Sequence, residues 1–367
     1  MSVTISQYCA ELEPAVKAFN QRLARGGVSY RFPESQESTL VEDAPIVRRG
    51  FVALQDGESV RGGYLLKEQQ FWLNGRGVQV AYLHLPLSEG LIDRTYSTLG
   101  VQLFAHALKH RPLLFGLGIG GQEEPFARLV LALGWKLESV PFFFKLVHPF
   151  RVARGLSYAR RTWTSRMLCD TAAWTGTAWL STRTLRYQEF LRQTARDRVE
   201  QVSSLDAIAN EIWNRHRWEY RLVAWRDRAA LQVAYPAGQR AYIRFQVFHR
   251  NIPIGWAVTL DTRMSGHKYF GNLRVGTIVD CLGAPQHAGR VIAAVSRELA
   301  ARGVDLVVTN QSARLWQAAL RVNGFLRGPS NFLLAVCPQL ANELSPLPAS
   351  LARLHLTRGD GDWPINL

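Results

Sequence analysis

The side chains with the clearest capacity for acid–base chemistry stand near the ends of two apolar strands. Asp280 ends a run that reads VGTIVD, while His84 and Glu89 hold the equivalent place in a run that starts at Val78. A carboxylate or imidazole placed there can take a proton from an acceptor amine or hydroxyl, as a general base does. Asp280 could instead be a solvated strand end, and His84 a hydrogen-bonded core residue. We treat all three as candidate catalytic residues.

The two turns that follow these strands contain residue types suited to binding phosphate. These hydroxyl, glycine and arginine residues lie at or just before the start of a predicted helix: Arg94, Ser97, Thr98, Gly100, Gly289 and Arg290. Backbone N–H groups at a helix start attract anions, and hydroxyl and guanidinium groups add donors. The alternative is an ordinary capped helix, because a single glycine at a helix start is common.

The elements around the first turn form one compact unit. Hydrophobic periodicity predicts a strand at Val78–Leu87, a helix from Thr98, a strand at Leu113–Leu117 and a helix at Phe126–Leu133 that stops at Gly134. Earlier residues predict hairpins at Asp56-Gly57 and Asn74-Gly75. Leu137–Val147 then supplies the last strands of the first domain.

The same order returns in the second half of the chain. A strand at Arg274–Leu282 is followed by a turn, a helix at Val291–Leu299, a strand at Val304–Thr309 and a helix at Ala313–Val322. A hairpin at Arg250-Asn251 precedes these elements, and Leu326–Val336 completes the sheet. The repetition predicts two degenerate copies of one domain, about 190 residues apart.

This order resembles the GCN5-related N-acetyltransferase family. The first closing helix, in LVLALGW, ends as that family's helix does, with a glycine and an aromatic residue. Of the family's phosphate loop (Gln or Arg, two residues, Gly, one residue, Gly or Ala) only Gly100 survives in Thr95–Gly100, and the family's tyrosine before the closing glycine is Val130 here. The resemblance implies an α/β (α+β) fold class. It predicts two tandem acyl-CoA N-acyltransferase-like domains, each a mixed, largely antiparallel sheet flanked by helices.

The resemblance also implies a function. Acetyl-CoA or another acyl-CoA would donate an acyl group to an amine or hydroxyl of a small molecule or saccharide, such as a sugar of a bacterial surface polysaccharide. Its pyrophosphate would bind in one half alone, at Ser97–Gly100 in preference to Ala288–Arg290. Acceptor contacts are assigned to Asn310, Asp360 and Asp362. The alternatives are a Fem-type transferase that uses aminoacyl-tRNA, and a catalytically inactive acyl-CoA-binding scaffold.

Length and composition predict the domain organisation. A chain of 367 residues with 47% hydrophobic residues suggests two globular domains. We expect an N-terminal domain at 1–150, a basic, tryptophan-containing linker at 151–198, a C-terminal domain at 199–340 and a tail at 341–367.

The net charge of +15 favours anionic partners. Arginines and tryptophans of the segment Arg151–Arg198 suit an anionic membrane surface, and the alternative is a linker packed across both domains. Nucleic acid is a weaker prediction, because the segment contains no recognisable binding module.

Cysteine usage and hydropathy bear on location. The four cysteines are far apart and lack metal-ligand spacing, which predicts neither a zinc site nor a disulfide framework. No apolar run is long enough to span a membrane, and no signal pattern is present. We expect a metal-free cytoplasmic protein, peripheral at the inner membrane if the basic segment binds lipid.

Overall fold

The structure is a computed structural model that describes residues 3–35, 44–121, 123–155, 197–347 and 351–361. The chain forms two compact units. The first unit comprises Met1–Ser139 and Asn331–Leu347, and the second comprises Val140–Ser330 and Pro348–Leu367. Asp362 and most of the predicted basic segment lie outside the described residues.

The described part of the first half of the chain contains both strands and helices. They are β1 (Val3–Gln7), α1 (Glu13–Arg25), β2 (Ile46–Gln55), β3 (Ser59–Leu73), β4 (Arg76–Ser88), α2 (Leu99–His110), β5 (Leu114–Leu117), α3 (Pro125–Ala132), β6 (Lys136–Ser139), β7 (Phe142–Leu146) and α4 (Pro149–Gly155).

The second half of the chain repeats much of this order. Its elements are β8 (Arg198–Val202), α5 (Asp206–His216), β9 (Leu222–Ala224), α6 (Arg228–Ala234), β10 (Ile243–His249), β11 (Ile252–Arg263), β12 (Arg274–Gly283), α7 (Ala288–Ala301), β13 (Leu306–Asn310), α8 (Arg314–Val322), β14 (Leu326–Gly328), β15 (Leu333–Val336), α9 (Pro338–Glu343) and β16 (Leu354–His355).

The three predicted hairpin turns are confirmed. Asp56-Gly57, Asn74-Gly75 and Arg250-Asn251 join neighbouring antiparallel strands, and all six residues have positive φ. Asparagine, aspartate and glycine adopt this conformation at little cost, which is why Asp-Gly and Asn-Gly mark hairpins in a sequence.

The described strands form two sheets whose main paths have the same order, and β9 and β16 pair with each other off the path of the first sheet. The first runs β1-β2-β3-β4-β5-β15-β6, and the second, from its other edge, runs β8-β10-β11-β12-β13-β7-β14. Neighbours along both orders pair antiparallel except β4–β5 and β12–β13, which are parallel. The predicted fold class is confirmed, and β4 and β12 are the corresponding central strands.

Two of the four last strands were assigned to the wrong sheet. β7 was expected in the first sheet but pairs with β13 and β14 in the second, while β15 was expected in the second but pairs with β5 and β6 in the first. Each half of the chain thus donates one strand to the other half's sheet. Phe142–Leu146 and Leu333–Val336 are both short apolar runs, so neither has a pattern that specifies its sheet.

The core of the first unit shows how helical spacing anchors a helix to its sheet. Val16, Phe19 and Leu23 recur on one face of α1 and are fully buried, and they pack in one cluster with Val52 and Val60 of the strands. This packing holds α1 against the sheet that contains β4 and its neighbours.

Candidate functional site

The sheet of the first unit opens between two of its central strands. Among the described residues, β4 and β5 pair at Ala81–Leu114 and Tyr82–Phe115 alone, although β4 continues to Ser88. Beyond this point β5 pairs on its other side with β15. We call the region formed by Leu83–Ser88 and Gly116–Leu117 the first opening.

The backbone of β4 is irregular at this opening. Its register against β3 shifts between Gly63 and Leu65, and Leu85 has a φ of 49°. A leucine in the left-handed region costs about 1–3 kcal/mol, and such strain concentrates at functional sites. Leu85 therefore points to the first opening as a site.

His84 lies beside this irregularity and is partly exposed. Its Nδ1 is 3.2 Å from the Tyr82 hydroxyl, which donates a hydrogen bond of 3.1 Å to the carbonyl of Leu117. The two rings are stacked with centroids 5.6 Å apart. The structure thus places this candidate base at the first opening, stacked on Tyr82.

Glu89 follows β4 and is held between two arginines. Its carboxylate is buried and forms ion pairs with Arg22 and with Arg61, the latter at 2.9 Å. Both carboxylate oxygens are therefore occupied by cations. This geometry suits fixing the connection after β4 better than accepting a proton.

The start of α2 has the accessibility that an anion site requires. Ser97 and Thr98 are exposed, and Thr98 at the N-cap makes no side-chain capping bond. A Cβ at Gly100 would meet Leu129 at 3.4 Å, so this glycine lies against α3. Arg94 belongs to the short turn before the helix.

One carboxylate also lies near the start of α2. Asp93 caps the turn before it by accepting a bond of 2.9 Å from the Thr95 N–H, which lowers the pKa of its carboxyl group. Asp93 is therefore ionised at neutral pH and opposes anion binding.

The corresponding opening of the second unit is filled by the chain itself. β12 and β13 pair from Val275–Leu306 to Thr277–Val308, and beyond them lies Leu354–Asp360, which we call the strap. His355 Nε2 of the strap donates a hydrogen bond of 2.8 Å to the carbonyl of Cys281. Thr357 bridges to Gln311, directly after β13. The strap thus contacts both diverging strands.

Asp280 anchors the strap to the second sheet. Its two carboxylate oxygens accept hydrogen bonds from Arg226 at 3.1 and 3.0 Å, from Tyr235 at 3.0 Å, from Thr357 at 3.0 Å and from the Cys281 N–H at 2.9 Å. Burial raises the pKa of the Asp280 carboxyl group, and the Arg226 guanidinium opposes that rise. Its oxygens are saturated with donors, which suits a structural role.

Two of the predicted acceptor contacts belong to the same region. Asp360 is buried and accepts from Arg226 at 2.8 Å and from the Thr357 N–H at 2.8 Å. Asn310 is also buried and accepts from Arg358 of the strap at 3.1 Å. Asp362 lies outside the described residues. Asp280, Asn310 and Asp360 are thus brought together, but around the strap.

The start of α7 is more constrained than the start of α2. Arg290 donates to Asp197 at 3.2 and 3.3 Å, and His249 Nδ1 lies 2.7 Å from the same carboxylate. The carbonyl of Gly289 accepts from Asn323 at 2.9 Å. The arginine that was expected to bind phosphate is therefore paired with a carboxylate.

Sequence reasoning missed Arg226, Tyr235 and Thr357, the donors that surround Asp280. They come from three separate segments, and none lies in a motif. The one signal in the sequence was Asp227, which directly follows Arg226. Its residue type is typical of a helix N-cap, and it marks the start of α6.

Three further features are the position of the family's tyrosine, metal binding and membrane-spanning helices. Val130, at the position of the family's tyrosine, is fully buried in α3. In the described part of the chain, no group of three or more His, Cys, Asp and Glu side chains could hold a metal ion. No helix among the described residues is both long enough and apolar enough to span a membrane.

Comparison with solved structures identifies the fold. A GCN5-related N-acetyltransferase from Anabaena variabilis matches with a TM-score of 0.53 and 10% identity, over 91% of this chain and 72% of that one. A probable N-acyltransferase from Enterococcus faecalis matches with a TM-score of 0.51 and 8% identity, over 94% and 74%. No protein-family model and no curated protein matches the sequence.

A third match is an N-myristoyltransferase from Saccharomyces cerevisiae with bound myristoyl-CoA. Its TM-score is 0.50 at 10% identity, over 92% of this chain and 78% of that one. Identities this low show the fold alone. With two sheets of matching strand order, the chain has the fold of the GCN5-related N-acetyltransferases, in two tandem copies.

Proposed function

We propose that the protein transfers an acyl group from acyl-CoA to an amine or hydroxyl, with the chemistry in the first unit. The observation that carries this proposal is the first opening, where β4 leaves β5 beside the left-handed Leu85. Strand edges that lack a neighbouring strand present N–H and C=O groups to a ligand. In the family that this fold resembles, the equivalent strand provides the catalytic backbone.

The residues of the first unit fit an acyl-CoA at two places. The β4 edge after Tyr82 offers backbone groups to the acyl end, and the helix start at α2, beside the exposed Ser97 and Thr98, would bind a pyrophosphate. When bound, acyl-CoA supplies an activated acyl thioester.

His84 is the group that we assign as general base. Its ring is partly exposed at the first opening and stacks on Tyr82 with centroids 5.6 Å apart. A neutral imidazole there would take the proton that an attacking amine or hydroxyl must lose.

The second unit provides the contrast that supports this assignment. Its equivalent opening contains the strap, and its candidate base, Asp280, accepts hydrogen bonds from Arg226, Tyr235 and Thr357. Opening this region would leave several buried polar groups without partners, at about 1–3 kcal/mol each. We assign the second unit a structural role.

Release of the CoA thiol from acetyl-CoA and from a long-chain acyl-CoA, in the presence of amines and amino sugars, tests the proposal. We expect His84→Gln to lower turnover by roughly 10²–10⁴-fold, the usual contribution of a general base, with an unchanged melting temperature. Asp280→Asn should instead lower the melting temperature.

Two outcomes would count against this function. Full activity in His84→Gln would remove its base role. Acetyl-CoA binding without thiol release for any acceptor would favour the inactive acyl-CoA-binding scaffold.

A further inference from the structure

The segment that joins β4 to α2 folds back on itself. It comprises residues 89–98, which we call the link, and it begins at the buried Glu89. The Glu89 carbonyl accepts a hydrogen bond of 2.7 Å from the Asp93 N–H. A Cβ added at Gly90 would be 2.5 Å from the carbonyl oxygen of Tyr96. The start of the link therefore packs directly against the residues that precede α2.

Arg61 of β3 contacts the link at two places. Its Nη1 donates a hydrogen bond of 2.9 Å to the Glu89 carboxylate, and its Nε donates one of 2.9 Å to the side-chain oxygen of Gln55. The central carbon of its guanidinium lies 5.1 Å from the centroid of the Tyr96 ring. The Tyr96 hydroxyl donates to the same Gln55 oxygen at 2.7 Å. One arginine thus contacts the link at its beginning and close to its end.

Arg22 of α1 supports the same contact from a second element. Its Nε donates to the other oxygen of the Glu89 carboxylate at 2.5 Å, and its Nη2 donates to the Val60 carbonyl at 2.6 Å. The Glu89 side chain is 4% exposed. A buried carboxylate that loses a cationic partner is strongly destabilised, so the two arginines hold the start of the link in place.

The charge of Arg61 also acts on the link beside the start of α2. The pKa of the Asp93 carboxyl group is lowered first by the hydrogen bonds from Thr95, and the Arg61 guanidinium lowers it further. Opposite charges attract over this range, so Arg61 offsets part of the negative charge of Asp93. An anion at the start of α2 is therefore favoured by the presence of Arg61.

We propose that Arg61 is a positioning residue that fixes the link, and with it the start of α2, in the conformation that binds the pyrophosphate of acyl-CoA. The role rests on the proposed function, which places the pyrophosphate there. Arginine suits this role because its planar group donates in two directions while it stacks on an aromatic ring, which a lysine ammonium cannot do. The conformation of the link is a property of the protein without ligand, so it can be tested by itself.

Hydrogen exchange of the ligand-free full chain tests whether Arg61 fixes the link. The N–H groups of Asp93, Tyr96 and Ser97 donate within the link and should be protected in the wild type. They should exchange faster in Arg61→Gln, which is shorter and uncharged, and in Arg61→Lys, which lacks the planar donor group. Protection equal to that of the wild type in both variants would overturn the inference.

Arg76→Gln is the matched control for this measurement. Arg76 also pairs with a carboxylate in the first unit, Glu343 at 2.9 Å, but it stands at the beginning of β4, far along the strand from the link. Its loss should leave exchange in the link unchanged.

Calorimetric titration with CoA and with pantetheine, which lacks the phosphates and the nucleotide, tests the effect on binding. Arg61→Gln should raise the dissociation constant for CoA severalfold and leave that for pantetheine unchanged, because the link contacts the phosphate end alone. A general loss of structure would weaken binding of both. Arg76→Gln should bind both as the wild type does. Faster exchange in the link with unchanged CoA affinity would overturn the positioning role.

Tyr96→Phe keeps the inference testable if the Arg61 variants do not fold. It removes the hydroxyl that donates to Gln55 but keeps the ring beside Arg61. It should weaken CoA binding in the same direction and by less, and unchanged affinity would again overturn the inference. Absence of CoA binding by the wild type would instead reject the proposed function, while the exchange rates would still show whether Arg61 fixes the link.

Discussion

At the scale of single residues, the two candidate phosphate sites differ in the charge that surrounds them. The start of α2 has the exposed residues Ser97 and Thr98 and one nearby carboxylate, Asp93, which accepts a hydrogen bond from the Thr95 backbone. The start of α7 has an arginine already paired with Asp197. A phosphate at the start of α2 would be repelled by the Asp93 carboxylate. A phosphate at the start of α7 would compete with Asp197 for Arg290.

Asp93→Asn tests the charge at α2. The amide oxygen keeps the bond from the Thr95 N–H while the negative charge is lost. Since a charge near a helix end is worth about 0.3–1 kcal/mol, the dissociation constant for CoA should fall by roughly two- to fivefold. Calorimetry with CoA measures this change, and weaker binding by Asp93→Asn would contradict a site at α2.

The sequence predicted where a residue lies along its strand. It did not predict the contacts that the residue makes with segments distant in sequence. His84 lies at the first opening as expected, because a residue near the end of a central strand reaches the opening whatever else surrounds it. Asp280 was placed correctly on its strand, but its partners Arg226 and Thr357 are 54 and 77 residues away in sequence. No local pattern could reveal that this carboxylate would be saturated.

At the scale of elements, the strap decides what the second unit can do. Gly359 lies so close to Tyr235 that a Cβ added there would be 2.0 Å from the hydroxyl oxygen. Gly359→Ala must therefore displace Tyr235 from Asp280 and should destabilise the protein by about 1–3 kcal/mol.

A double-mutant cycle separates this steric effect from a general loss of helix or turn stability. In the Tyr235→Phe background the hydroxyl is absent, so the added cost of Gly359→Ala should be smaller. Urea unfolding of the four proteins measures the coupling. Equal costs in both backgrounds would mean that Tyr235 does not define the space beside Gly359.

The strap also predicts a pH dependence of stability. Burial lowers the pKa of His355 from 6.5 to about 3, and the nearby Arg226 charge contributes in the same direction. Between about pH 6.5 and pH 3 the unfolded chain therefore binds a proton that the folded chain does not, so stability falls by about 1.4 kcal/mol per pH unit as the pH is lowered through this range.

His355→Gln gives the control for this effect. Its side-chain amide can still donate to the Cys281 carbonyl but does not titrate in this range. The free energy of unfolding should fall less steeply with decreasing pH in this variant than in the wild type. Parallel curves would show that His355 is not responsible.

At the scale of the whole molecule, the two sheets are built by exchange of strands. The order of elements was predictable, because hydrophobic periodicity and turn residues act locally and the order occurs twice. The sheets in which β7 and β15 pair were not predictable, because any short apolar strand can fill a buried position in a sheet. Topology of this kind depends on contacts far apart in sequence.

Hydrogen exchange can verify the strand exchange in the intact chain. Leu334 of β15 and Phe143 of β7 are both buried, and truncating either to alanine should cost about 2–5 kcal/mol. Leu334→Ala should reduce protection in β5 and β6, and Phe143→Ala in β13 and β14. The opposite pattern would contradict the sheet orders given above.

The central claim is that one acyl-CoA binds per chain, in the first unit. Gly100 and Gly289 provide matched variants, because each is the second residue of its helix and each has room for a Cβ at 3.4 and 3.8 Å from its neighbours. Aspartate at either position adds a negative charge at a helix start. In a calorimetric titration with acetyl-CoA, the wild type should bind one molecule per chain, Gly100→Asp should lose binding and Gly289→Asp should keep it. Binding that survives Gly100→Asp and is lost in Gly289→Asp would contradict the assignment of the site to the first unit.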